Sequence, residues 1–309
     1  MRILVVGAGA TGGYFGGRLL EHGRDVTFLV HSARATALAQ AGLVIHSPAG
    51  DAVLPAPPTV RAFDLHAPYD LILLSCKAYG LTSAMTDFAP AVGPQTAILP
   101  LLNGMQHLDV LDQRFGATHV LGGRCMIAAT LDEQGAVQHL NRSHGLTFGE
   151  RDAGAPPERM QAITTALSDA GFDARPSASI LQDMWDKWLF LTALAGITCL
   201  MRASIGAIAA APGGTAAALA LLEECRAVAA RAGHAPSERT LEHARAILTE
   251  AGSTLTASML RDVQDGHAVE ADHIVGDMLA RADAAPAAHA LLTLVYANLK
   301  AYEASRAPA

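Results

Sequence analysis

Short apolar runs broken by glycine or polar residues fill the first half of the chain, whereas alanine and leucine at helical spacing fill the second. The first run, Arg2-Ile3-Leu4-Val5-Val6, is too short for a helix before the glycines begin, and it reads as a buried parallel strand. A helix closing at His22-Gly23 follows, then a second strand over 26–30. Segments 71–74 and 96–102 are further short apolar strands, ending in Ser75-Cys76-Lys77 and Asn103-Gly104-Met105. Pro100 sits awkwardly in a strand, because it cannot donate to a ladder. Segments 119–129, 135–140 and 145–149 read as strands joined by turns such as Asp132-Glu133-Gln134-Gly135, so the sheet is expected to finish antiparallel. A stretch rich in proline and glycine at 152–157 precedes one more helix and a short strand over 171–175.

Beyond Pro176 the strand signals nearly vanish. Helices are expected from about 180, and near 215–232, 238–264, 267–283 and 287–304. The predicted fold class is therefore α/β: a Rossmann-type dinucleotide-binding domain over 1–176, followed by an all-α domain over 177–309.

Composition narrows the function classes. The 309 residues are 51% hydrophobic and 17% charged, with a net charge of −7, which suits large cores and excludes disorder. There is no basic stripe or block of like charge, which argues against nucleic acid or a polybasic membrane anchor. The uncharged run 188–201 covers 14 residues, too few to span a bilayer, and glycines interrupt the N-terminal apolar run before any signal-peptide core is complete. Cys76, Cys125, Cys199 and Cys225 form no C-x-x-C pair and read as reduced thiols of a cytoplasmic protein. His267-x-x-Glu270-x-x-His273 lacks the i, i+4 histidine pair of a zinc helix, so no metal is expected.

The chemistry begins at Gly7-Ala8-Gly9-Ala10-Thr11-Gly12, between the first strand and its helix. Gly7 permits the tight turn, Gly9 removes a side chain where a pyrophosphate must approach, and Gly12 lets helix and strand pack closely. The pyrophosphate would then meet unpaired N–H groups at a helix N-terminus. An NAD-selective fold places an acid near the end of the second strand to accept from the ribose 2′-hydroxyl. Here the strand ends in His31-Ser32-Ala33-Arg34, a set suited to a 2′-phosphate and hence to NADP; a solvated basic loop is the other reading.

With both halves read, the chain resembles the ketopantoate reductase (2-dehydropantoate 2-reductase) family over essentially its whole length. The matching pieces are the Gly7–Gly12 turn, Cys76-Lys77-Ala78, Leu102-Asn103-Gly104-Met105 and Trp185-Asp186-Lys187-Trp188. Ala257-Ser258-Met259-Leu260 and Glu270-Ala271-Asp272-His273-Ile274-x-Gly276 complete the order. The resemblance implies NADPH-dependent reduction of a 2-oxo acid to a 2-hydroxy acid, foremost 2-dehydropantoate to pantoate in pantothenate biosynthesis. It also implies that Lys187 is the proton donor, that Glu270 orients substrate or lysine, and that Ser258 contacts substrate. By the same resemblance Asn103 and Lys77 lie at the nicotinamide and substrate edge.

Independent chemistry agrees. Hydride delivery to a carbonyl builds charge on oxygen, which calls for a positioned acid. Lys187, flanked by Trp185 and Trp188, is expected to be partly desolvated. Ser258 and Glu270 stand 12 residues apart. That is about 18 Å along an unbroken helix, too far to share a small substrate. Asp265-Gly266 between them is a good helix stop that lets the chain turn.

Two departures bear on the substrate. The family usually carries asparagines four and eight residues after the lysine, where this chain has Leu191 and Ala195. Arg124 follows Gly122-Gly123 where a small or hydroxyl residue is commoner; its planar fork suits a substrate carboxylate, and equally an acid elsewhere on the domain. One rival reading is a reductase of the same family acting on another 2-oxo acid or an imine. Another is a non-catalytic NADP(H)-binding redox sensor, against which Lys187, Ser258 and Glu270 together speak. A homodimer through the alanine-rich helical half is compatible with the sequence.

Overall fold

The computed structural model describes residues 1–152, 156–282 and 289–306. The chain divides into two compact units: Met1–Leu102 with His107–Leu181, and Asn103–Gln106 with Gln182–Ala309.

The first unit runs β1 (Arg2–Val6), α1 (Ala10–Glu21), β2 (Asp25–Leu29), α2 (Ser32–Ala41), β3 (Leu43–His46), β4 (Ala52–Leu54), β5 (Thr59–Val60) and β6 (Leu71–Leu74). It continues through α3 (Leu81–Phe88), β7 (Ala97–Pro100), α4 (Gln106–Phe115), β8 (Gly122–Leu131), β9 (Val137–Gly149), α5 (Pro157–Leu167) and β10 (Asp173–Pro176). A parallel sheet has the order β5-β2-β1-β6-β7. The apolar runs that predicted its strands are buried throughout, as expected of parallel strands covered on both faces. Strand order reverses beside β1, so the end of β1 is the switch point where open α/β sheets leave a crevice. Pro100 closes β7, an edge strand, which is where a sheet tolerates proline.

The antiparallel pair β8–β9 is present, but it does not finish that sheet. It belongs to a second five-stranded sheet, ordered β10-β9-β3-β4 with β8 paired to β9. The expected strands 135–140 and 145–149 are one strand of 13 residues, β9. Between Ile127 and Ala129 of β8 the register shifts, with residues 140–143 of β9 bulging opposite the single residue Ala128, and pairing resumes on both sides. There the Asn141 side chain accepts from the Ala128 N–H at 3.1 Å, satisfying the group the bulge leaves over.

Helix α1 packs against both sheets, and its glycines make that possible. A Cβ on Gly16 would lie 2.6 Å from the Phe28 ring of the first sheet, and one on Gly13 would lie 2.9 Å from Val137 of the second. Tyr14, Phe15 and Leu19 fill the remaining space and are fully buried.

The second unit is helical: α6 (Ile180–Met201), α7 (Ile205–Ala210), α8 (Gly214–Arg231), α9 (Glu238–Leu248), α10 (Ser258–Gln264), a π-helical turn (Asp272–Gly276), α11 (Asp277–Ala280) and α12 (Ala290–Ser305). The single helix expected over 238–264 is two helices. The backbone between them turns to serve α7: the Ile205 and Gly206 N–H groups donate to the Leu255 and Ser253 carbonyls at 3.0 and 2.8 Å. The expected stop at Asp265-Gly266 is present, with Gly266 at φ +72°. The helix expected over 267–283 begins only at Ala271 and opens as the π turn, because Tyr302 Oη and Arg306 Nε hold the His267 and Gly266 carbonyls at 2.8 and 3.0 Å. The end of that expectation, and the start of the one at 287–304, lie outside the described residues. No described helix is long and apolar enough to cross a membrane. Cys199 and Cys225 are buried thiols, and burial pushes Cys199 up to about 12.

The α1 packing is testable. Gly16→Ala adds about 1 kcal/mol of helix propensity. It also crowds the fully buried Phe28 ring, at about 1–3 kcal/mol. Urea unfolding should show a net loss of stability; an unchanged or raised midpoint would contradict the packing described.

Candidate functional site

The glycine turn sits at the switch point. Gly7 takes φ +91°, and its N–H donates to the Leu29 carbonyl at 2.9 Å. Ser75 Oγ, at the end of β6, lies 2.8 Å from the Val6 carbonyl and 3.0 Å from that of Gly7, pinning the turn from the neighbouring strand. A Cβ on Gly12 would fall on the Gly7 carbonyl and Ser75 Oγ, so only glycine allows this approach. Gly9 is the opposite case: a Cβ there would meet nothing within 4 Å, because the residue faces open space. No side chain caps α1, so the N–H groups of its first turn, from Ala10, Thr11 and Gly12, are available to an anion.

That space is a cleft of about 390 Å³ within the first unit. Gly7, Ala8, Gly9, His31, Arg34 and Cys76 line it, together with Ala62, Ser83 and Asp87. Arg34 Nε donates to the Ala8 carbonyl at 3.0 Å, while Nη2 is buried with no hydrogen-bond partner among the described residues. Burial pulls the Arg34 guanidinium below its ordinary value. A half-buried guanidinium lining a cleft fits an anionic ligand group. The segment is thus no solvated basic loop: His31 precedes α2 as its cap, and Ser32 to Arg34 are its first turn. Ser32 is exposed and is not among the residues lining the cleft. Lys77, exposed at the start of the 3₁₀ turn Ala78–Gly80, is likewise not in that lining, although its neighbour Cys76 is. The residues present fit a dinucleotide: glycines and helix N–H groups for a pyrophosphate, and Arg34 for a further anion.

The second unit assembles the other candidates. On α6, Lys187 is half-buried between Trp185 and Trp188, which are 3% and 1% exposed. Its Nζ donates to Asn103 Oδ1 at 2.7 Å. Asn103 opens the loop Asn103–Gln106 after β7, and Gly104 beside it takes φ +80°. A Cβ on Gly104 would lie 2.7 Å from the His273 carbonyl oxygen and 3.0 Å from its ring, so the loop abuts the π-helical turn. Glu270 stands just before that turn, half-buried, and its carbonyl accepts from the Ile274 N–H at 3.0 Å. Ser258, the first residue of α10, is exposed, and no hydrogen bond among the described residues joins it to Lys187.

Leu191 and Ala195 follow Lys187 along α6; Leu191 is half-buried and Ala195 is 1% exposed. Arg124 is half-buried on β8, opposite Thr147, and is not among the residues lining the dinucleotide cleft. His273 and Trp188 stand in the motifs of the sequence, but their contacts do not follow from it: the His273 and Gln106 side chains meet at 3.3 Å, and Trp188 Nε1 donates to the Ile274 carbonyl at 3.1 Å. The glycine after Asn103 was the one available signal that something packs against that loop.

Residues 3–153 match the family ketopantoate reductase PanE/ApbA, and residues 179–303 match the C-terminal region of the same family. The chain is 38% identical to the oxidoreductase YkpB of Bacillus subtilis, over 99% of this chain and all of that one. It is 27% identical to a 2-dehydropantoate 2-reductase of Mesorhizobium japonicum, over 89% of each chain. The crystal structure of 2-dehydropantoate 2-reductase from Geobacter metallireducens superimposes with a TM-score of 0.86 at 25% identity, covering 97% of this chain and 99% of that one. A glycine turn at the switch point of a parallel sheet, a helical unit carrying a lysine hydrogen-bonded to asparagine, and these matches along both halves mean that the chain is an oxidoreductase of the ketopantoate reductase family.

Proposed function

We propose that the protein reduces a small 2-oxo acid to the 2-hydroxy acid with NADPH, and that 2-dehydropantoate is the first substrate to test. The observation that carries this reading is the 2.7 Å hydrogen bond from Lys187 Nζ to Asn103 Oδ1, which aims the ammonium. The chemistry that the reduced nicotinamide supplies when bound is the hydride. Gly7 to Gly12 hold its pyrophosphate, and Arg34 holds a 2′-phosphate. Lys187 gives its proton to the oxygen on which charge develops, and Asn103 keeps Nζ in the direction of transfer. Glu270 orients the substrate or the lysine, Ser258 contacts the substrate, and Lys77 stands at the nicotinamide edge. The setting is the cytoplasm, where Cys199 and Cys225 stay reduced.

One observation favours a second substrate class. Leu191 and Ala195 offer no side-chain amide on the helix that carries Lys187, which suits an apolar side chain better than the hydroxyl of 2-dehydropantoate. Arg124 would then grip the carboxylate.

Fluorescence titration should show NADPH binding more tightly than NADH. Arg34→Ala should cost about 1.5–3 kcal/mol for NADPH, roughly tenfold to a hundredfold, and little for NADH. Equal affinities in the parent protein would contradict the 2′-phosphate assignment.

Lys187→Ala should leave folding and NADPH binding intact while kcat falls about 10²–10⁴-fold. Retention of most of the parent kcat at saturating substrate would remove Lys187 from the role of donor.

In a substrate panel, 4-methyl-2-oxopentanoate and similar apolar 2-oxo acids should be reduced at least as well as 2-dehydropantoate, and Arg124→Lys should raise their KM. A preference for 2-dehydropantoate of about a hundredfold, some 2.7 kcal/mol, would overturn the apolar reading and leave the first substrate in place.

A further inference from the structure

We infer that His273 is a positioning residue of this site: from the π-helical turn it holds the backbone of Asn103, and so fixes the side chain to which Lys187 donates. This rests on reading Lys187 as the proton donor.

His273 is only 5% exposed, and a polar ring so buried needs its hydrogen bonds. They go to the loop Asn103–Gln106. The ring donates to the Asn103 carbonyl, and Nδ1 lies 3.3 Å from the Gln106 side-chain amide. With that amide turned to donate to Nδ1, one neutral tautomer serves both contacts. The ring is held neutral: burial lowers its pKa, against the opposing pull of Glu270, Asp277 and the Asn103 carbonyl. A neutral ring fixes the loop without setting a second positive charge near the ammonium.

A steric contact reinforces the polar one. The carbonyl and ring of His273 occupy the space a side chain at Gly104 would need, so the loop closes onto this turn only with glycine there. The turn itself is braced from two helices. Asp277 N–H reaches back five residues to the Asp272 carbonyl, the wide π spacing. The Ile274 carbonyl accepts from Trp188 Nε1 at 3.1 Å, one residue beyond Lys187 on α6. From α12, Tyr296 Oη and Lys300 Nζ donate to the Asp272 carboxylate at 2.6 and 2.9 Å. Lys187 to Asn103, Asn103 to His273, and Ile274 back to Trp188 form a closed circuit around the ammonium.

A double-mutant cycle separates positioning from general support. The substrate is whichever of 2-dehydropantoate and 4-methyl-2-oxopentanoate is turned over. His273→Leu should lower kcat about tenfold to a hundredfold, the scale of a misplaced catalytic group, with KM for NADPH unchanged. His273→Gln, which keeps a donor, should recover most of that loss. In an Asn103→Ala background His273→Leu should cost less than about twofold more, because the group it positions is gone. Losses that multiply in the double variant, or a His273→Leu kcat within about twofold of the parent, would overturn the inference. If His273→Leu does not fold, Gln106→Leu carries the same cycle, with a loss of about threefold to tenfold expected.

A readout without substrate is acetylation of Lys187 by acetic anhydride at fixed pH, followed by mass spectrometry. His273→Leu and Asn103→Ala should each speed it, with no further gain when combined; an unchanged rate in both single variants would contradict the circuit. Should Lys187→Ala retain kcat, the reading beneath this inference falls with it. Should Lys187→Ala be inactive while the cycle is additive, only the inference falls.

Discussion

The hydrogen bond from Lys187 to Asn103 is the constraint on which the proposed chemistry depends. A free lysine samples many rotamers, and fixing one costs about 2 kcal/mol of side-chain entropy. Here that ordering is done during folding. In sequence Lys187 lies between two buried tryptophans, and the asparagine amide accepts from its ammonium at 2.7 Å. A carboxylate in its place would pair with the ammonium and hold its proton more firmly. The asparagine amide orients the group.

A second constraint organises the other unit. Helix α1 has a sheet on each side, so its glycines serve packing as much as ligand approach. Gly13, Gly16 and Gly17 let the helix sit close to strands on both faces, which seats its N-terminus at the end of β1. Gly12 joins the two purposes, since it packs on the Gly7 carbonyl, and Gly9 alone is left facing open space. The same close packing that makes the core therefore presents unpaired N–H groups at the switch point.

What the sequence disclosed follows from these physical causes. Buried parallel strands appear as unbroken apolar runs, so 71–74 and the strand before Gly7 were legible, as were the glycine turn and the Asp265-Gly266 stop. The second sheet was not, because β3 and β4 are short and β9 carries the polar residues Asn141, Arg142, Ser143 and His144 through its middle. Periodicity cannot distinguish a bulged strand from two strands joined by a turn. Helix breaks in the second unit were missed for a related reason: the backbone near Ser253 and Leu255 is diverted by α7, a contact distant in sequence. Arg34 and Lys187 were nameable from position and flanks. The contact of His273 was not, because it depends on a π-helical turn and on Gln106, 167 residues away.

The most direct measurement is a crystal structure with NADP⁺ and the 2-hydroxy acid product of whichever substrate is turned over. The product hydroxyl should lie about 3 Å from Lys187 Nζ, within hydrogen-bond reach, with Asn103 still accepting from the same ammonium. A hydroxyl beyond about 5 Å from Nζ and bonded to another acid would contradict the assignment of Lys187 as the proton donor.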